Sequence, residues 1–245
     1  MEQSKTSTRV LLTSAVILMV VLLTGPLGYK YQLTDLGPSL TSVLVAVAGG
    51  LLVFLASLVM LVMAIRRQQH KDRNLLFTVI LLSLVPLSMI APHLITARSV
   101  PPIHDISTDT MNPPVFDALV ALREGAANDL VYGTTILSAE QHAEIQHEAY
   151  PQVQTKLSPL AVPAAVSRAE VVLMEQGLLI VAVNPEAGLV EATASTFWFG
   201  FKDDLVVRVV ANNSGSKVDV RSVSRVGASD LGANAARIER FLIAF

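Results

Sequence analysis

The chain contains no cysteine. This absence excludes disulfide bonds, cysteine-ligated zinc, iron–sulfur clusters and thiol nucleophiles. Charged residues are also scarce, since they form 16% of the 245 residues, whereas a typical soluble domain carries about 25%. Hydrophobic residues form 52% of the chain. We therefore do not expect a fully soluble globular protein.

The common motifs of catalytic and nucleotide-binding sites are missing as well. The sequence has no G-x-S-x-G, G-x-x-x-x-G-K or G-x-G-x-x-G pattern, so it predicts no nucleophile elbow, P-loop or dinucleotide fingerprint. Ser222, Ser224 and Ser229 have no histidine near them in the sequence and indicate no catalytic triad. Residues 100–245 hold 10 basic and 17 acidic residues, which argues against nucleic-acid binding.

Three long stretches carry no charge, namely residues 10–29, 36–65 and 74–97. Each reaches the roughly 20 residues that a helix needs to cross a bilayer. They predict a three-helix transmembrane region over residues 1–99, with the lipid bilayer as its partner. A cleaved signal peptide is the alternative for the first stretch, but no A-x-A-like cleavage site follows it and two further spans do.

The basic residues of the short loops predict the orientation. The loop between the second and third spans holds Arg66, Arg67, Lys71 and Arg73, so we expect it on the cytoplasmic side. The N-terminus is then cytoplasmic too, and residues 100–245 are periplasmic or otherwise extracytoplasmic. This pattern is typical of a multi-pass protein of the bacterial cytoplasmic (inner) membrane.

Residues 100–245 predict one α+β domain that follows an extended tether over residues 100–106. A first helix is expected after Asn112, because Pro113 suits a first turn. Ser138 with Gln141 resembles a capping box for a second helix. A third helix over residues 164–176 ends at a glycine suited to the left-handed C′ position, and a last helix starts at Ser229 and Asp230.

Between the third and last helices the hydrophobic period changes to two, which indicates β-strands. Four strands are predicted, over residues 178–184, 189–199, 205–211 and 216–224. Their short connections require antiparallel neighbours. The predicted fold is therefore an α-helical membrane anchor of three helices plus an α+β domain, in which an antiparallel four-stranded meander packs with helices.

Acidic and guanidinium side chains gather near one end of this predicted sheet. Two forked guanidinium groups can hold a carboxylate or phosphate, and the start of the last helix offers free N–H groups. We interpret the set as a ligand-binding site or, alternatively, as a salt-bridge network that joins the sheet end to the last helix. Its members are Asp203, Asp204, Arg221, Arg225, Ser229, Asp230, Asn234 and Arg237.

Two other polar sets predict no metal site. His104, Asp105 and Asp109 lie in the predicted tether with a spacing that matches no standard zinc site. Glu140, Glu144 and His147 share one helix face and suggest only half of a di-iron pair. We expect both sets to be solvated, and we predict no metal, no cofactor and no catalytic residue.

Three motifs resemble those of the bacterial and plastid domain-of-unknown-function family 1499. They are the long segment from Arg221 to Ile238, the Gly-Phe-Lys-Asp-Asp turn at residues 200–204 and the opening at residues 101–109. The resemblance covers roughly residues 100–245 and implies an exported or membrane-linked domain without an accepted activity. Many relatives open with an Asn-Cys segment, and this chain has no cysteine.

Two functions stay open from the sequence. One is a non-enzymatic envelope module that binds a lipid, glycan or protein partner, the alternative that we favour. The other is an envelope hydrolase or lyase for an anionic substrate, with Asp203 or Asp204 as base and Arg221 or Arg225 as anion clamp. A cavity with a carboxylate of raised pKa favours the enzyme, and a saturated ion-pair network favours the module.

Overall fold

The structure, a computed structural model, describes residues 5–133 and 137–245. The chain divides into two compact units. One comprises Met1–Ile95 with Phe197–Gly200, and the other comprises Thr96–Thr196 with Phe201–Phe245. The first unit contains most of residues 1–99, and the second contains most of residues 100–245.

Three long helices occupy residues 6–99 of the described chain, as the uncharged stretches predict. They are α1 Thr6–Lys30, α2 Leu36–Arg66 and α3 His70–Ser99. Each is long and apolar enough to cross a membrane. The helices extend beyond the uncharged stretches because charged residues at the ends of a span reach the polar headgroup region. The chain is therefore a membrane-anchored protein.

Small residues allow the three helices to approach closely. Ala15, Val53 and Val79, one from each helix, are buried together. A Cβ atom added at Gly50 of α2 would lie 3.1 Å from the carbonyl oxygen of Ser83 in α3. Glycine at this position therefore serves the close packing that membrane helices use in place of a hydrophobic driving force.

The second unit is built on an antiparallel sheet of six strands in the order β1-β6-β5-β4-β3, with β2 also paired to β6. The predicted four-stranded meander forms β3 to β6 of this sheet. The strands are β1 Asp105–Ser107, β2 Lys156–Ser158, β3 Leu179–Asn184, β4 Leu189–Ser195, β5 Lys202–Asn212 and β6 Gly215–Ser224.

Among the described residues of this unit, three α-helices accompany the sheet, namely α4 Ala139–Ala149, α5 Val162–Glu175 and α6 Ala233–Ala244. The predicted capping box is confirmed, because Gln141 donates its backbone N–H to Ser138 and its side chain accepts the N–H of Ser138. Gly177 follows α5 with φ +79°, which is the left-handed conformation expected at C′.

One face of the sheet packs against α5 and α6. The main core of the unit includes Val166 and Leu173 from α5, Ile238 and Phe241 from α6, and Val207 from β5, all fully buried. The apolar side chains of each strand point to this face at every second position. The predicted α+β packing is therefore confirmed.

The opposite face is covered by an irregular segment, residues 111–131. Phe116 and Leu119 of this segment pack on Val206 and Val223 of the sheet. The α-helix predicted after Asn112 is wrong, because the segment contains only a short 3-10 helix, Val120–Arg123.

Buried side chains of the sheet explain why no α-helix forms there. The Glu191 carboxylate accepts the backbone N–H groups of Asp117 and Leu119. Arg221 donates to the carbonyl oxygen of Pro114. These backbone groups are therefore bonded to side chains that lie far away in the sequence, and an α-helix would have to withdraw them.

The predicted tether also differs from the structure. Asp105–Ser107 form β1, whose residues pair with Val223, Ser222 and Arg221 of β6. Ile103 and Ile106 are fully buried in the main core. Pro101 and Pro102 precede β1, so the residues of β1 keep their backbone N–H groups and can form hydrogen bonds with β6.

The last helix begins three residues later than predicted. Leu231 and Gly232 have φ angles of +55° and +80°, and α6 starts at Ala233. Asp230 still satisfies the helix start, because its carboxylate accepts the N–H groups of Gly232 and Asn234. The predicted acid therefore caps the N-terminus of α6 from a position just before the helix.

We predict that residues 101–245 fold without the membrane helices. The main core draws all its fully buried members from positions 103 to 241, and a unit of this size buries enough surface to be stable. A fragment that starts at Pro101 is expected to be soluble and to show both helix and strand by circular dichroism. Its unfolding by urea is expected to be a single cooperative transition.

A fragment that starts at Asp109 is the matched control. It lacks β1 together with Ile103 and Ile106, and loss of one large buried apolar side chain costs about 2–5 kcal/mol. We expect this shorter fragment to be unfolded or insoluble. An insoluble longer fragment would instead show that the membrane helices complete the core.

Candidate functional site

The centre of the predicted site is Asp204, whose side chain is 0% exposed. Arg225 binds its carboxylate with two groups, Nε to Oδ2 at 2.8 Å and Nη2 to Oδ1 at 2.9 Å. Arg123 Nη1 donates to Oδ2 at 2.6 Å. Thr193 Oγ1 donates to Oδ1 at 2.7 Å. Both oxygens of Asp204 are therefore bonded twice.

Strand register brings this group, which we call the Asp204 cluster (Thr193, Asp204, Arg123 and Arg225), together. Thr193 lies directly opposite Asp204 on the neighbouring strand. Arg225 follows the end of β6 and is held there because its N–H donates to the carbonyl oxygen of Lys202. Arg123 comes from the 3-10 helix of the covering segment.

The charges of the cluster determine how Asp204 titrates. Burial alone would raise the pKa of this carboxyl, but hydrogen bonds from Arg225, Thr193 and Arg123 outweigh it, and the pKa of Asp204 lies below its usual value. The ionised carboxylate therefore stabilises the fold at pH values above the ordinary aspartate pKa of about 3.9. This contribution is lost as the pH falls through the lowered pKa.

Asp203, the neighbour of Asp204, faces the opposite side of the sheet. Arg237 Nη2 of α6 donates to Asp203 Oδ2 at 2.8 Å. Arg237 Nη1 and Ser222 Oγ both donate to the side-chain oxygen of Asn234. Adjacent residues of a strand point to opposite faces, and this alternation separates the two aspartates.

Asp230 lies beside this second group. Burial raises the pKa of its carboxyl above the usual value, although the N–H groups of Asn234 and Gly232 oppose the shift and the charge of Asp203 adds to it. Ser229 Oγ accepts the N–H of Leu231. Ser229 and Asp230 therefore shape the turn that leads into α6.

Arg221 belongs to a third set on the same face as Asp204. Its Nε and Nη2 atoms donate to the two oxygens of Asp105 at 3.0 and 2.7 Å. It also donates to the carbonyl oxygens of Pro114 and Leu130, and its guanidinium lies 5.6 Å from the centre of the Phe116 ring. Asp105 is therefore buried in an ion pair, contrary to the predicted solvated turn.

The structure thus divides the eight predicted site residues between the two faces of the sheet. One face carries Asp204, Arg221 and Arg225, and the other carries Asp203, Ser229, Asp230, Asn234 and Arg237. The network prediction holds for the pair of Asp204 and Arg225, but this pair is joined to the 3-10 helix. The last helix is joined instead through Asp203.

Several buried polar residues of the covered face are not among the predicted site residues. Glu191 is buried and binds two backbone N–H groups of the 111–131 segment. Asp219 is buried between Arg208, Thr108 and Thr155. Both acids alternate with apolar residues along their strands, and this pattern marks the face opposite the apolar core. The same pattern is found on a face exposed to water, so the sequence alone did not indicate that Glu191 and Asp219 are buried.

No described residues form a group of three histidine, cysteine, aspartate or glutamate side chains able to hold a metal ion. Asp109 is bound by Arg208 and Lys217 at 3.0 and 3.1 Å. Glu140, Glu144 and His147 lie exposed on α4, where His147 contacts Thr110 at 3.2 Å. Asp109 therefore takes part in ion pairs and His147 in a hydrogen bond.

We predict that the Asp204 cluster stabilises the domain. Asp204→Ala leaves two guanidinium groups without their carboxylate, and such a change to a buried pair costs about 3–5 kcal/mol. Arg225→Ala is expected to cost less, because Asp204 keeps Arg123 and Thr193. Urea unfolding of the 101–245 fragment measures both losses, and the double variant is expected to lose clearly less than the sum of the two single losses.

Arg240→Ala is the matched control, since Arg240 is an exposed arginine on α6 and surface changes cost within about 0.5 kcal/mol. Equal or higher stability in both cluster variants would contradict a structural role. It would favour a ligand site, in which like charges are strained without their ligand.

The family model "Protein of unknown function (DUF1499)" matches residues 105–245, from the start of β1 to the last residue. Comparison with curated proteins and with solved structures found no match. The match covers more than half of the chain and confirms the resemblance of its motifs, and the chain therefore belongs to the DUF1499 family.

Proposed function

We propose that this protein is a non-catalytic binding module of the bacterial cell envelope, anchored in the cytoplasmic membrane. Its 100–245 domain stands on the periplasmic side and binds a lipid, glycan or protein partner. The observation that carries this proposal is the saturation of the acid and guanidinium side chains, since Asp203, Asp204 and Arg221 are all buried in ion pairs within the domain.

The same observation weighs against the hydrolase or lyase. A general base works best with a pKa near the operating pH, whereas the pKa of Asp204 is lowered. An anion clamp needs guanidinium groups that are available to substrate. Arg225 donates hydrogen bonds to Asp204 and to the carbonyl oxygen of Leu122. Arg221 donates to Asp105 and to two carbonyl oxygens.

The outer surface of the 111–131 segment offers a place for a partner. Met111, Val115 and Val131 are 91%, 72% and 76% exposed, and Val120 and Leu122 are exposed as well. Large exposed apolar side chains gathered on one segment are typical of interaction sites. This apolar character favours a protein or a lipid over a glycan. A ligand-binding role for the eight residues around Asp203 and Asp204 stays a prediction.

We predict the orientation from the basic residues of the loop between α2 and α3. Alkaline phosphatase, which is active only outside the cytoplasm, is fused after Arg98 in one chain and after Arg67 in another. The first fusion is expected to be active and the second inactive. The reverse pattern would place the 100–245 domain in the cytoplasm.

We predict that the 111–131 segment contacts the partner. A photo-crosslinking amino acid is placed at Val115 or Val131 in the full chain, in cells, and at the exposed Glu186 as a control. Discrete adducts are expected at the two valines and none at Glu186. The mass of the adduct distinguishes a protein from a lipid or a glycan. Absence of adducts at both valines, or identical adducts at the control, would refute the proposed surface.

A further inference from the structure

Four aromatic residues gather in the connection between β4 and β5. They lie in the aromatic loop, which we define as residues 197–201 with the sequence Phe-Trp-Phe-Gly-Phe. Aromatic residues form only 5% of the chain. The first three lie in the predicted strand over residues 189–199, but β4 ends at Ser195. These side chains therefore belong to a turn and not to the sheet.

Two hydrogen bonds between Thr196 and Phe201 close this loop. Thr196 donates its N–H to the carbonyl oxygen of Phe201 at 2.9 Å, and Phe201 donates its N–H to Thr196 Oγ1 at 2.9 Å. Gly200 has φ +66°, a conformation that glycine adopts without cost. Phe197 is 80% exposed and Trp198 is 39% exposed.

The loop lies beside the end of the first membrane helix. Phe197–Gly200 belong to the same compact unit as the three helices. Lys30 Nζ, at the last residue of α1, donates to the carbonyl oxygen of Phe197 at 2.9 Å and lies 5.1 Å from the centre of the Phe197 ring. The rings of Tyr29 and Phe199 have centroids 6.4 Å apart.

The end of α1 is a position where a bilayer interface is expected. Tryptophan and tyrosine gather at the headgroup level of membrane proteins, and lysine at a helix end extends its charge toward that level. Tyr29, Lys30 and Tyr31 have this composition. The aromatic loop contacts Lys30, so we expect it in the same headgroup region of the bilayer.

Chain topology is consistent with this position whichever way the protein is inserted. Three successive spans place the ends of α1 and α3 on the same side of the membrane. The aromatic loop follows α3 in the chain without a further span between them among the described residues, so it is on the side of the bilayer where α1 ends.

We propose that the aromatic loop inserts Phe197 and Trp198 into the headgroup region of the lipid bilayer. The ligand is the bilayer interface itself, and the loop forms a contact with lipid in addition to the three membrane helices. This role goes beyond the proposed partner binding, because it involves other residues and needs only lipid. Failure of the crosslinking experiment at Val115 and Val131 leaves it unaffected.

The chain carries its own probe for a test, because Trp198 is its only tryptophan. The full chain is reconstituted in phosphatidylcholine vesicles, with and without lipids brominated near the headgroup end of their acyl chains. We expect Trp198 emission shifted to the blue, quenched by the brominated lipids and shielded from iodide in the water phase.

Two results would overturn the proposal. Emission typical of indole in water, quenched by iodide and not by brominated lipid, would show the loop in water. Shielding from both quenchers would show that protein covers the loop. Either result leaves the proposed partner-binding surface on the 111–131 segment untouched.

Two variants serve as controls. Trp198→Phe combined with Ser214→Trp moves the probe to the turn between β5 and β6, at the other end of β5, about 35 Å from the loop at roughly 3.3 Å per residue. There we expect quenching by iodide alone. Phe197→Asp keeps Trp198 and places a charge at the loop tip, so a several-fold rise in iodide quenching is expected. An unchanged melting temperature is also expected, because Phe197 is exposed.

Discussion

The architecture of the second unit depends on buried charges at the centre of its sheet. Asp204, Asp219 and Arg221 lie on the face that α5 and α6 do not cover, and all three are buried. An unpaired buried charge costs several kcal/mol, so whatever covers this face must bring partners. The preceding chain does so with Asp105 and Arg123. The backbone of the 111–131 segment is irregular because its own N–H and carbonyl groups are also bound by side chains of the sheet.

This constraint separates the two faces of the sheet by chemistry. The helix face is held mainly by apolar packing, as in the contact of Ile238 and Phe241 with the strands. The covered face is held by directional bonds to carboxylates and guanidinium groups, with a small apolar contribution from Phe116 and Leu119. Directional bonds need no continuous apolar stripe in the covering segment, which leaves side chains such as Val115 exposed.

The sequence predicted the elements whose signals are local. Uncharged length marked the three spans, the capping box marked α4, and Gly177 marked the end of α5. β1 and β2 have three residues each, too few for a period of two to appear. The 111–131 segment was misread as a helix because the groups that bind its backbone, such as Glu191, lie more than 70 positions away.

The sequence indicated several of the charged residues that form ion pairs at this end of the sheet, but not which face of the sheet each of them lies on. Asp203 and Asp204 were grouped by proximity in the sequence, although neighbours in a strand point to opposite faces. The aromatic loop was missed for a related reason, since aromatic residues favour strands and the run extends a true strand. Its closure by Thr196 and Phe201 follows the last paired residues of β4 and β5 and leaves Phe197 and Trp198 exposed. Exposed rings such as that of Phe197 add nothing to the core of the domain and are available for a contact outside it.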